Sequence, residues 1–202
     1  MKPGYDGGME GRRSARQRHQ RRELLERALA RLEQDGFGAL DYPRLAEAAG
    51  LALRSLSRAF PEPEDLFFPE HAERLEAFGR MVDEAGLAEA CLAWARLQEE
   101  DRGLQLRLLE ALEREPRLRA RRAALDEALV ARLAAHFLRW GAAGIQGERR
   151  AELEARLLVA ALRGAEQLWR RGGGRPLLPV LVQEALALLW PALYAHARRH
   201  LD

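Results

Sequence analysis

Residues 41–60 read DYPRLAEAAGLALRSLSRAF, and the fold turns on how this stretch is understood. Asp41 is a good N-cap for a short helix running through Ala49, with Pro43 tolerated in its first turn. Leu45, Ala46 and Ala49 form the inward face of that helix, and Gly50 supplies the positive φ that a sharp turn needs. A second short helix is predicted over Leu53–Phe60, with Leu53, Leu56 and Phe60 inward and Arg54, Ser55, Ser57 and Arg58 facing elsewhere.

Upstream, residues 1–11 hold four Gly and a Pro and predict a disordered basic arm over 1–14. A helix follows over Ala15–Gln34, with Leu24, Leu25, Ala28, Leu29 and Leu32 on one face and Gly36 as its stop. Downstream, Pro61 and Pro63 end the unit and start a long helix over Glu64–Glu84. Gly and Pro punctuation then predicts helices near 87–101, 104–114, 117–140, 148–171 and 177–200. The expected chain is all-α with about nine helices: an N-terminal three-helix domain over 15–62 and a larger helical domain over 63–202.

Composition agrees. Leu, Ala, Arg and Glu dominate, Asn and Thr are absent, Ile145 is the one Ile and Lys2 the one Lys. Strong helix formers are abundant and the β-branched residues that suit strands are scarce. Net charge is only +2, but Gly11–Arg22 holds six Arg and no acid, a run suited to neutralising phosphates.

Two short helices meeting at a glycine within a three-helix unit are what a helix-turn-helix requires, the second laying its early side chains on base edges in the major groove. The wider pattern is more specific: Leu24-Leu25-x-x-Ala28, Gly36-Phe37, Leu45-Ala46-x-x-Ala49-Gly50-Leu51, Leu56, Phe60-Pro61 and Glu64-Asp65-Leu66. Over residues 24–66 it resembles the DNA-binding domain of the TetR family of repressors, in an AcrR-like or mycofactocin-regulator-like branch. The resemblance implies a ligand-responsive repressor that binds a pseudo-palindromic double-stranded operator as a homodimer. Three positions depart from it. Ala52 stands where the third helix commonly opens with Ser or Thr, Ser57 where an aromatic side chain contacts phosphate, and Pro63 where a basic residue grips phosphate. The Arg run (Arg12, Arg13, Arg16, Arg18), with Arg44 and Arg58, is expected to replace those contacts.

For base readout the candidates are Arg54 and Ser55, with Ser57 and Leu53 beside them, because Arg pairs bidentately with guanine O6/N7. Tyr42 is a candidate phosphate donor, its alternative being packing against the first helix.

One short recognition helix makes too little contact for operator specificity, so a two-fold dimer is expected. Ala160, Ala161, Gly164, Ala165 and Leu168 form a small-residue stripe on the eighth helix, with Leu157 a further interface candidate, and Leu181, Ala185, Leu188, Leu189, Ala192 and Leu193 make the ninth apolar around much of its circumference. The resemblance also implies an effector pocket, for which Phe67, Phe78, Met81, Trp94, Arg107, Phe137, Trp140 and Trp169 are candidates; such an aromatic lining suits an apolar or amphipathic ligand.

No Gly-rich phosphate loop, nucleophile elbow or HExxH is present, so neither an enzyme nor a cofactor is expected. Cys91 is alone in an apolar run and reads as a buried hydrophobe. His196, His200 and Asp202 lie beside Arg198 and Arg199 at the C-terminus, where cations complement the helix dipole, and no metal site is expected. MKPGYDGGMEG lacks an apolar core for export, and Leu177–Ala195 is interrupted by Pro179, Gln183, Glu184 and Pro191. A cytoplasmic protein without membrane contact is expected. The competing class is a helical ligand-binding or adaptor protein with weak or lost DNA binding.

Overall fold

The computed structural model describes residues 7–48, 50–140 and 144–194, with side chains from 19 to 189 apart from 39, 48, 49 and 140–143. Among the described residues the chain is all-helical, with nine α-helices and no strand. It divides into two compact units, Met1–Glu70 and His71–Asp202.

The first unit comprises α1 (Gly7–Asp35), a 3-10 turn (Phe37–Ala39), α2 (Tyr42–Ala48), α3 (Leu53–Ala59) and a 3-10 turn (Pro63–Phe67). Helix α1 begins eight residues before the expected Ala15, so residues 7–14 are not the disordered arm expected of them. Past Pro3 no proline intervenes, and Met9, Glu10, Arg12, Arg13 and Ala15 all favour helix. The inner face of α1 is largely the expected one: Leu24, Leu25, Ala28 and Leu29 are buried, as are Leu45, Ala46, Leu56 and Phe60 of the same unit, while Leu32 is half-buried.

The long helix expected over Glu64–Glu84 is broken. Pro69 disfavours α geometry at Phe68, leaving a 3-10 turn over Pro63–Phe67 and a fresh start at His71. Leu66 and Phe67 are buried, and Phe67 stacks on Phe37 with ring centroids 6.3 Å apart. That packing moves the unit boundary from residue 62 to Glu70.

The second unit is a bundle of α4 (His71–Ala85), α5 (Leu87–Glu100), α6 (Arg102–Arg114), α7 (Pro116–Trp140), α8 (Ile145–Arg171) and α9 (Leu178–Tyr194). One apolar core runs through it, from Phe78 and Val82 on α4 and Ala90, Cys91 and Ala95 on α5 to Leu158, Leu162 and Trp169 on α8 and Leu178, Val182 and Leu186 on α9. Cys91 is fully enclosed, and burial pushes its thiol up to about 12, which matches the inert hydrophobe expected of it. Helices α7 and α8 are cross-tied by ion pairs, Arg122 to Glu166 at 2.7 Å and Arg163 to Asp126 at 2.6 Å, and Arg163 also pairs with Glu166 along α8 at 3.0 Å. The Arg163 guanidinium also lies 5.7 Å from the Trp94 ring centroid. Glu99 of α5 accepts the Leu178 N–H at 2.6 Å and thereby caps α9 from a neighbouring helix.

Candidate nucleic-acid interface

Helix α2 starts directly after Asp41, whose carbonyl accepts the Leu45 N–H at 3.0 Å and whose carboxylate lies 3.4 Å from Arg44 Nε. Leu45 and Ala46 anchor the helix in the core. Its exit is closed by paired backbone bonds: the Gly50 N–H donates to Glu47 O at 3.0 Å and the Leu51 N–H to Ala46 O at 2.8 Å. This is a Schellman closure, and it requires a left-handed residue at Gly50, whose φ is +64°. Extended Ala52 then opens α3, its carbonyl accepting the Ser55 N–H at 2.8 Å and the Leu56 N–H at 3.1 Å; no side chain caps this end.

Helix α3 is held by Leu56, which is buried, and by buried Phe60 just beyond it. Leu53, expected inward, is 45 % exposed, because α3 is seven residues long and its first turn clears the core. Arg54, Ser55, Ser57 and Arg58 are exposed beside it. The structure therefore brings five sequence-predicted candidates onto one short exposed helix.

Two hydroxyls have other work. Tyr42 Oη donates to Phe60 O at 2.8 Å, tying the start of α2 to the end of α3. Burial, with the nearby Asp65, Glu62 and Glu64 carboxylates, pushes its pKa up to about 12. The phosphate contact expected of Tyr42 is thus replaced by an internal one, since a phenol has a single proton to donate. Ser57 Oγ donates back into its own helix, at 3.1 Å from Leu53 O and 3.4 Å from Arg54 O. The Arg54 and Arg58 guanidiniums have no ion pair or hydrogen bond among the described residues, whereas that of Arg44 pairs with Asp41.

Arg12, Arg13, Arg16 and Arg18 lie on the early turns of α1, and their side chains fall outside the described residues. Of the other two Arg in that run, Arg22 pairs with Glu26 at 3.2 Å and Arg21 is also engaged.

In the second unit, Phe78 and Trp169 lie in the core with Met81, Trp94 and Phe137 packed on it. Arg107 is half-buried on α6, and the Trp140 side chain lies outside the described residues. Phe67 belongs to the first unit, where it stacks on Phe37. Among these residues the Trp169 indole N–H stands out, buried with no acceptor. A groove of about 350 Å³ between α7 and α8 has a floor of Val130, Ala131, Ala134, Ala135 and Ala151, and none of the predicted effector residues lines it. Sequence reading missed it because alanines at positions 131, 134 and 135 look like an ordinary core stripe.

The expected dimer surfaces divide. Leu157 and Leu168 of α8 are exposed, with Ala161 and Gly164 half-buried between them. A Cβ added at Gly164 would meet nothing within 4 Å. On α9 the expected face is mostly internal: Leu181 is 7 % exposed in its own core, Leu189 packs on that core, and Ala185 is half-buried. The Leu193 side chain lies outside the described residues. Leu177, just before α9, and Val180 and Leu188 on it are exposed; Leu188, seven residues after Leu181 and so on nearly the same side of the helix, is 83 % exposed.

Among the described residues no group of three His, Cys, Asp or Glu can hold a metal ion, and no helix is long and apolar enough to cross a membrane. His196, His200 and Asp202 lie outside those residues. No protein-family model and no curated protein matches the chain.

Proposed function

We propose that the chain is a TetR-type transcriptional regulator, a ligand-responsive repressor that grips a pseudo-palindromic operator as a homodimer. The observation that carries this reading is the α2–Gly50–α3 geometry: two short helices joined by a closed left-handed turn, the second turning Leu53, Arg54, Ser55 and Arg58 outward. An exposed helix with two unengaged guanidiniums suits a negatively charged groove. Leu153, Leu157 and Leu168 on α8, with Leu177 just before α9 and Val180 and Leu188 on it, leave apolar surface suited to a second copy, which would set two recognition helices about 34–36 Å apart.

The effector would enter the aromatic second unit, where a ligand acceptor can take up the orphaned Trp169 N–H. By linkage, a ligand that favours the non-binding conformation weakens DNA binding by the same factor by which DNA weakens ligand binding.

A second reading, a helical ligand-binding or adaptor protein with weak or lost DNA binding, draws on the internal engagement of Tyr42 and Ser57 and on the uncapped α3. An electrophoretic shift on the DNA upstream of the protein's own coding sequence, with mass by light scattering, separates the two. Retarded duplex and a dimeric mass are expected; a protein that ignores every duplex at low salt sinks the regulator reading.

A further inference from the structure

We infer that each operator half-site offers a guanine to Arg54 and, within about two base pairs of it, a thymine methyl to Leu53. This rests on the DNA-binding reading above and narrows it to base composition. When the second helix of such a unit enters the major groove, its first residues meet the base edges. In α3 those residues are Leu53, Arg54 and Ser55, all exposed.

Their chemistry is unequal. The Arg54 guanidinium has no partner among the described residues, so both its N–H edges are free for the O6/N7 pair that only guanine presents in the major groove. Leu53 is apolar, 45 % exposed and outside the core. The base-edge feature an aliphatic side chain distinguishes is the thymine C5-methyl. Ser55 carries a hydroxyl that donates or accepts and so discriminates little. Ser57 is silent because its proton is committed to the carbonyls of its own helix. Arg58 lies four residues after Arg54, on the same side in the last turn and without a partner, placed for a phosphate rather than a base. Of the exposed α3 side chains, then, two carry sequence information.

The test selects duplexes from a randomised pool with the full-length protein, then measures affinities by fluorescence anisotropy at fixed salt. Every selected half-site should contain the guanine. Replacing that G·C pair by A·T should weaken the native protein roughly ten- to hundredfold, while Arg54→Ala should bind both duplexes alike. Replacing the thymine by deoxyuridine removes only the methyl group and should cost about threefold, and Leu53→Ala should not register it. Arg58→Ala should weaken all duplexes uniformly and lower the salt slope by about one. All three residues are exposed, so unchanged helical circular dichroism is expected and certifies each variant. A guanine preference that survives Arg54→Ala, or selected sites lacking the guanine, overturns this inference while leaving DNA binding standing. A pool from which nothing is retained overturns both.

Discussion

Tyr42 shows how a residue picked for an external contact can serve an internal one. Its hydroxyl holds the Phe60 carbonyl at 2.8 Å and so fixes the end of α3 against the start of α2. Tyr42→Phe keeps the ring and deletes that bond, so it should cost about 0.5–1.5 kcal/mol in urea denaturation and leave the salt slope of DNA binding unchanged. A reduced slope would restore the phosphate role. The same residue sets a pH limb. Its folded pKa of about 12 lies above the ordinary 10.0, so the unfolded chain loses this proton first as pH rises. The stability it contributes is complete below about pH 10 and is lost as pH climbs towards 12; Tyr42→Phe should flatten that decline. Gly50 is a second single-residue control. At φ +64° an added Cβ is strained although the space around it is open, so Gly50→Ala should destabilise the unit by about 1 kcal/mol in the same denaturation assay.

At the scale of elements, the first unit was largely readable because its signals are local and independent. Gly50 marks the α2–α3 turn, and Leu24, Leu25, Ala28 and Leu29 keep one phase along α1. Helix α9 was not readable in this sense. Its sequence is apolar nearly all round, so periodicity carries no phase: Leu181 and Leu188, two turns apart on nearly the same side, were equally plausible as outward residues, yet the first is buried and the second exposed. Only packing against α5 and α8 decides which residues are covered. Helix α1 was missed at its start for a different reason: its early glycines suggested an arm, whereas Met9, Glu10 and the arginines that follow sustain a helix of 29 residues. The engagement of Arg21 and Arg22 leaves the list of phosphate candidates in the basic run as expected from the sequence, Arg12, Arg13, Arg16 and Arg18. Removing residues 1–18 spares the packed face from Leu24 onward, so the fold should survive. The slope of log K against log salt should become shallower by up to roughly 0.9 for each phosphate left without its arginine. An unchanged slope in anisotropy titrations assigns the phosphate contacts elsewhere, to Arg44 and Arg58 first.

For the whole molecule the proposed regulator reading turns on how many copies of α3 are presented at once. A helix as short as α3 reaches few base pairs, so useful affinity for an operator depends on two copies held at a fixed spacing. The outward leucines of α8 and α9 are where that spacing would be set. Leu157 and Leu188 make no contribution to the core of their own chain, so replacing both by Glu should leave the fold and its thermal unfolding nearly unchanged. In an interface the same carboxylates would be buried without partners, at a cost of at least about 2–4 kcal/mol. The double variant should therefore be monomeric by light scattering. On the proposed reading it should keep only the weak affinity of one α3 for a single half-site and lack whatever a second copy would add. A double variant that stays dimeric places the interface elsewhere. One that is monomeric yet binds the full operator as tightly as the native protein shows that a single α3 suffices, and removes the reason for invoking a dimer at all.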